Sequence, residues 1–484
     1  FGNQLTATDH RARLAKQIFE ENTETAMRAA QRLGPAYVAL ARAAFAVANR
    51  QSNGSALTAA VPASVHHEPM YQFVKAQSLR RADKTQEAAA IMAAASRDPV
   101  LLGSPEEWWT ERRVLVRKLL DEGDARGAYR MAAGHAVTEG SARVEAEFHA
   151  GWVALRALRE PQSAVRHFEA ARAAAHTPMS MSRANYWLGR AHEANGHSAE
   201  ARRSYEQAAR HTSHYYGQLA RAKLGMTDLP VRRPAETAEP QSVAARALKM
   251  LYAAGERDLA LAMLAELGAR GNDQGQLHAA GEVAARNNDA RGALTLGKGA
   301  VNRGLPFDLH AFPTFGIPPY RHVGPEVDRA VVYAIARQES TFNAKAVSHA
   351  GARGLLQLMP GTARATARTY GLSFDNGRLI SDPAYNAQLG AAHLGELIAE
   401  YNGSYILTFA AYNAGRGRVR EWIEAYGDPR NPSVDPIDWV ERIPFSETRN
   451  YVQRILENVQ VYRARIAGSS GLRIEADLRR GRTN

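Results

Sequence analysis

The chain has 484 residues, 45% of them hydrophobic, no cysteine, and a formal net charge of +12 from 61 Lys and Arg against 49 Asp and Glu. That length predicts two to four domains. The absence of cysteine excludes disulfides, thiol nucleophiles and Cys-based zinc or iron–sulfur sites, and no apolar run approaches the roughly 18–20 residues that span a bilayer. The positive charge suits an anionic partner such as nucleic acid, membrane headgroups or an acidic wall polymer. No dense Lys/Arg tract interleaved with aromatics appears, so nucleic acid is not an expected partner.

Sustained period-2 alternation is nearly absent, so the sequence predicts an all-α protein. Residues 1–226 read as apolar helix, tight polar turn, Ala-rich helix, over and over. In Leu120-Asp-Glu-Gly-Asp-Ala-Arg-Gly-Ala128 and Ala194-Asn-Gly-His-Ser-Ala-Glu-Ala201 a Gly or Asn ends one helix and Asp or Ser caps the next. Residues 151–171 align with 189–209 at a period of about 37–38, near tetratricopeptide spacing with a small insertion. Stacked pairs of this kind predict an α-superhelix. Residues 227–241, rich in Pro and charge, read as a linker, and 242–303 as a small helical linker module. The proline-rich stretch 304–325 resists helix and marks a boundary. A third helical domain with shorter helices and Gly-rich loops is expected over 312–466, followed by a frayed basic tail over 467–484.

One carboxyl in the third domain stands out. Val332, Ile335, Ala336 and Glu339 sit at i, i+3, i+4 and i+7. If 327–339 is a helix, Glu339 lies on its apolar stripe. Burial against a packed surface raises a carboxyl pKa, and a lift of about two units costs roughly 2.7 kcal/mol. Such a group is a candidate general acid. The plainer alternative is a Glu at a helix end that bonds backbone amides of the next loop.

Four motifs follow in order within about 115 residues: Glu339-Ser340, Gly354-Leu-Leu-Gln-Leu-Met-Pro360, Ala411-Tyr-Asn-Ala-Gly415, and Ile443-Pro-Phe-Ser-Glu-Thr448 with Tyr451-Val452. Over about 320–465 this resembles the catalytic domain of the soluble lytic transglycosylases, which has a goose-lysozyme-like fold. More weakly, the layout of superhelix, linker module and C-terminal domain resembles that family too. The resemblance implies cleavage of the β-1,4 bond between N-acetylmuramic acid and N-acetylglucosamine in peptidoglycan. The muramoyl 6-hydroxyl attacks its own C1, giving a 1,6-anhydro product without water. An ordinary glycosidase needs two carboxylates; here one, Glu339, would act as acid and then as base. A hydrolase on the same fold, and a scaffold with an inactive sugar-binding domain, are the competing readings.

The resemblance carries further positions. Ser348 is expected near Glu339 and the substrate acetamido group. Gln357, on an expected helix start, should bond sugar, and Met359 should pack on a sugar face. The Tyr412 hydroxyl is expected near the developing cation or Glu339, and Asn413 is expected to fix the backbone before the Gly415/Gly417 turn. Glu447 is the favoured second cleft acid, with Glu441 as its alternative, and Tyr451 lies one turn beyond Glu447. Leu356 stands where the family commonly has methionine, a volume-conserving swap. The sixteen histidines show no H-E-x-x-H or comparable spacing. His192, His197, His211 and His214 read as solvated helix residues, and neither metal nor cofactor is expected. The expected partners are glycan strands and, through the superhelix, cell-wall synthesis or remodelling proteins. The chain opens at Phe1 with no initiator Met, and reads as a mature or trimmed periplasmic product.

Overall fold

The computed structural model describes residues 5–234, 242–468 and 471–481. Among these residues the secondary structure is helical, apart from two isolated antiparallel bridges, Val347 with Arg353 and Arg353 with Leu358. Among the described residues no helix is long and apolar enough to cross a membrane. Two compact units emerge: 1–176 with 187–204, and 177–186 with 205–484. The expected borders near 226/242 and 303/312 fall inside the second unit: the last helix of the module packs on the short helix Asp308–Ala311, and the proline-rich stretch packs on the C-terminal helices through Phe312 against Tyr462.

In the first unit the turn chemistry read from sequence is in place. Helix Pro105–Asp121 gives way at Gly123, whose φ of +81° suits a residue without Cβ. Asp124 then caps Ala125–Ala133 by accepting from the Gly127 amide at 2.7 Å. Helices Gly140–Val153 and Pro161–Ala174 pair closely because residue 151 is Gly: a Cβ there would lie 2.7 Å from the Phe168 ring. Phe148, Phe168 and Trp187 fill the layer between helices, with ring centroids about 6 Å apart.

In the second unit the module over 242–303 is four helices, Val243–Ala253, Arg257–Arg270, Gln274–Arg286 and Ala290–Asn302. Part of the linker stretch, 235–241, lies outside the described residues. Two expectations are corrected here. The 304–325 stretch does contain a short helix, Asp308–Ala311, anchored by the buried Phe307 and Phe312. The basic tail is not frayed where described: Ile474–Leu478 is a helix with Ile474 and Leu478 buried, and its Asp477 pairs with Arg463 at 2.5 Å. Basic composition had masked that apolar i, i+4 pair. A third correction concerns histidines: His192 and His214 are buried, not solvated.

The core of the C-terminal region is the 22-residue helix Ser446–Ala467, which packs along Arg329–Glu339 and Tyr405–Ala414. These three helices, with Pro383–Glu400, position the residues described next.

Candidate active site

Helix Arg329–Glu339 starts at Asp328, whose carboxylate accepts from the Ala330 amide at 2.9 Å and from Arg463 at 2.7 Å. Its stripe of Val332, Ile335 and Ala336 is fully buried. Glu339 is the last helical residue. Thr341 and Phe342, at φ +51° and +60°, turn the chain sharply away directly after it, so the carboxyl stands at the mouth of the turn. Burial pushes its pKa up to about 7; a hydrogen bond from Tyr451 opposes that rise, and the charge of Glu447 adds to it. The Tyr451 hydroxyl donates to Glu339 Oε1 at 2.7 Å. Among the described residues no backbone amide bonds this carboxyl, so the helix-end alternative does not hold.

The loop after Glu339 is fixed by groups far along the chain. Gly354, at φ +76°, passes so close to its neighbours that a Cβ would sit 2.1 Å from the Leu379 carbonyl oxygen and 2.3 Å from Asn386. Asn386 is fully buried. Its Oδ1 accepts from the Leu356 amide at 2.9 Å, and its Nδ2 donates to the carbonyls of Arg353 and Leu379 at 2.9 and 3.0 Å. The Leu356 carbonyl accepts from the Tyr412 hydroxyl at 2.6 Å. The Leu356 side chain lies over Gly390, where a Cβ would meet it at 2.3 Å. Residue 356 is thus held at its N–H, its C=O and its side chain.

That grip displays Gln357. It lies in a turn at φ +48°, with helix Pro360–Thr369 beginning three residues later, so the expected helix start at Gln357 is corrected. A non-glycine residue in this region stores roughly 1–2 kcal/mol of backbone strain. Its Nε2 donates to the carbonyls of Ala346 and Gly354 at 3.1 and 2.9 Å. Both amide protons are then used, and Oε1 is the atom left to accept from a ligand. Ser348 is exposed in the same loop, its Oγ accepting from the Ala352 amide at 3.0 Å. Met359 is 44% exposed, unusual for a large apolar side chain.

Tyr412 sits near enough to Glu339 to feel its charge, but its hydroxyl is committed to Leu356; the tyrosine bonded to the carboxyl is Tyr451. Both phenols have pKa values raised well above 10, chiefly by burial, and stay protonated. Asn413 reaches beyond its own turn: its Oδ1 accepts from Thr448 Oγ1 at 2.7 Å, tying Tyr405–Ala414 to the start of Ser446–Ala467. Thr448 follows Glu447, which is exposed.

Glu441 is elsewhere. It is fully buried, accepts from Gln453 at 2.9 Å and from Arg183 at 3.3 Å, and is bonded to the Tyr216 hydroxyl. Its work is internal to the second unit, which removes it as the alternative to Glu447. Sequence reasoning missed Asn386 as a loop clamp; "SDPAYNAQLG" carries only the Asp382 cap signal, met by the Tyr385 amide at 3.0 Å.

Helices around one strongly perturbed carboxyl, with a glycine-hinged loop and paired tyrosines beside it, define a lysozyme-like class of domain. Within that class the chain resembles the soluble lytic transglycosylases. Residues 320–432 match the Transglycosylase SLT domain, and 442–470 the Soluble lytic transglycosylase helical domain. The chain is 40% identical over 141 residues to a soluble lytic murein transglycosylase of Escherichia coli, a stretch covering 29% of this chain and 21% of that protein. It is 36% identical over 158 residues to one of Salmonella typhimurium, covering 32% and 24%. The matched stretch thus spans about a fifth to a quarter of these curated relatives. In fold, the chain is similar to an inactive mutant of lytic transglycosylase Slt from Pseudomonas aeruginosa, with TM-score 0.67, 24% identity and coverage of 97% of this chain and 75% of that one. The 70 kDa soluble lytic transglycosylase of Escherichia coli gives TM-score 0.52 at 20% identity, over 98% and 88%.

Proposed function

We propose that this chain is a peptidoglycan lytic transglycosylase that cleaves the β-1,4 bond between N-acetylmuramic acid and N-acetylglucosamine without water. The observation that carries the reading is the Glu339 carboxyl, buried to a pKa of about 7 and bonded on Oε1 by Tyr451. A carboxyl poised there is populated in both protonation states near neutrality, which one residue acting twice requires. Glu339 first gives its proton to the glycosidic oxygen as the bond from that oxygen to C1 breaks. With Oε1 occupied by Tyr451, the proton leaves from Oε2. The same carboxylate then takes the proton of the muramoyl 6-hydroxyl as O6 bonds to C1. The substrate's own acetamido group stabilises the cation between the two steps.

The other residues serve binding. Gln357 Oε1 accepts from a sugar hydroxyl or amide, Met359 covers a sugar face, and Ser348 meets the acetamido group. Tyr412 holds the loop that presents Gln357. Asn413 and Thr448 set the start of the helix that carries Glu447 and Tyr451, and Glu447 lines the cleft as a second charge. A periplasmic location follows from the substrate. The net charge of +12 draws anionic glycan strands to the surface, and the N-terminal helical repeats hold intact wall or dock wall-synthesis proteins. The masses of fragments released from purified peptidoglycan test the proposal: 1,6-anhydromuramoyl ends support it, and reducing muramic acid ends move the chain to the hydrolases.

A further inference from the structure

We propose that His278, Glu282 and His310 form a binding site for one divalent ion of the zinc class, fastening helix Gln274–Arg286 to the short helix Asp308–Ala311. His278 and Glu282 lie one turn apart on Gln274–Arg286, with Nε2 and Oε1 3.8 Å apart. Such a pair alone is an ordinary helix-face contact. The third member makes the difference. His310 comes from the other helix, and its imidazole drops onto Gly281, between the other two residues. A Cβ at 281 would sit 2.7 Å from Cε1 and Nδ1 of that ring, so the glycine is what admits it. The rings of His278 and His310 lie 5.4 Å apart between centroids. One donor atom from each of the three residues falls within 4.8 Å of the others.

His310 is only 4% exposed, and its Nε2 has no hydrogen-bond partner. Buried polar atoms without partners are rare in folded proteins. This one belongs to a ring already offering a donor to the cluster. Zinc at about 2.1 Å from each of its ligands sets tetrahedral donors roughly 3.4 Å apart. The cluster reaches that by side-chain rotation of the half-buried His278 and Glu282. Two imidazoles and one carboxylate favour zinc and its transition-metal neighbours over magnesium or calcium, which prefer oxygen shells.

The role of the site is mechanical. Asp308 pairs with Arg232 at 2.7 Å, and the Leu309 carbonyl accepts from Arg465 at 2.5 Å on helix Ser446–Ala467. The Ala311 carbonyl accepts from Arg337 at 2.9 Å, and a metal on His310 adds a fourth tie to this short segment. H-x-x-x-E spacing was visible in the sequence, but the third ligand lies 28 residues further on, in a stretch read as non-helical.

The test uses the full chain, stripped with chelator and then given zinc alone. Elemental analysis after gel filtration counts bound metal, and calorimetry gives affinity. The expected result is a zinc ion held at micromolar affinity or tighter, with the count falling by one in His278→Ala and in Glu282→Gln at unchanged circular dichroism. Melting temperature should rise with zinc in the wild type and rise less in both variants. Magnesium should do neither. A chain that retains no zinc, or one whose zinc count is the same in His278→Ala, Glu282→Gln and His310→Ala, would overturn the proposal; the second result would place the metal on other histidines.

Discussion

Tyr451 donates its hydroxyl to Glu339 Oε1 at 2.7 Å across 112 residues of sequence. The bond stabilises the ionised carboxyl and so works against the burial that raises its pKa. Tyr451→Phe keeps the ring and removes the bond. A net hydrogen bond is worth about 1 kcal/mol, or somewhat under one pKa unit. The alkaline limb of the pH–rate profile should therefore move to higher pH in the variant, with kcat reduced by loss of the oriented carboxyl. An unmoved limb would separate Tyr451 from the acid.

Burial of Glu339 also makes stability depend on pH. The folded pKa, about 7, lies above the ordinary 4.5. The folded state therefore binds the proton more tightly, and this favourable difference is complete below pH 4.5 and lost as pH rises through 7. Glu339→Gln lacks it. At pH 8 the variant should be more stable than wild type by up to about 3 kcal/mol, and the gap should close by pH 4. Urea midpoints across that range give the answer, and equal midpoints at both ends would contradict a buried, perturbed carboxyl.

Asn386→Ala should disturb the substrate loop from beneath. It removes three hydrogen bonds and takes the partner from the buried Leu356 amide and the Leu379 carbonyl, while the Arg353 carbonyl keeps the Leu358 amide at 3.0 Å. At roughly 1–3 kcal/mol per orphaned group, a loss of several kcal/mol is expected, with KM rising more than kcat falls because Gln357 is misplaced. Chemical denaturation and steady-state kinetics read the two effects separately. A stable variant with normal KM would mean that the loop is held by other contacts.

How much of this was legible in the sequence depended on distance along the chain. The Glu339 stripe, the Asp124 cap and the helical pairs were readable because each is a local pattern of a few residues. The Asn386 clamp, the Tyr451–Glu339 bond and the Glu441 cluster were not, because each joins residues 30 or more apart. Gln357, three residues after Gly354, was read as lying on a helix start. Pro360 instead takes the first position of the helix, with Met359 as its N-cap, and leaves 357 free to adopt positive φ. The C-terminal segment was misjudged on charge, when two apolar residues four apart were enough to seat it.

Electrostatic attraction of glycan gives a further expectation. With a net charge of +12, the full chain should degrade intact sacculi progressively more slowly as salt rises toward 0.5 M, where screening shortens to less than about 5 Å. Turnover of small soluble muropeptides should change much less. Parallel salt dependence on both substrates would remove the charged surface from substrate capture.

The most direct measurement is mass spectrometry of the products released from purified peptidoglycan by the wild type and by Glu339→Gln. The wild type should release muropeptides with 1,6-anhydromuramoyl ends, lighter by one water than hydrolysis products, and the variant should release almost none. Reducing-end muramic acid from the wild type, or undiminished release by Glu339→Gln, would contradict a single carboxyl serving as both acid and base.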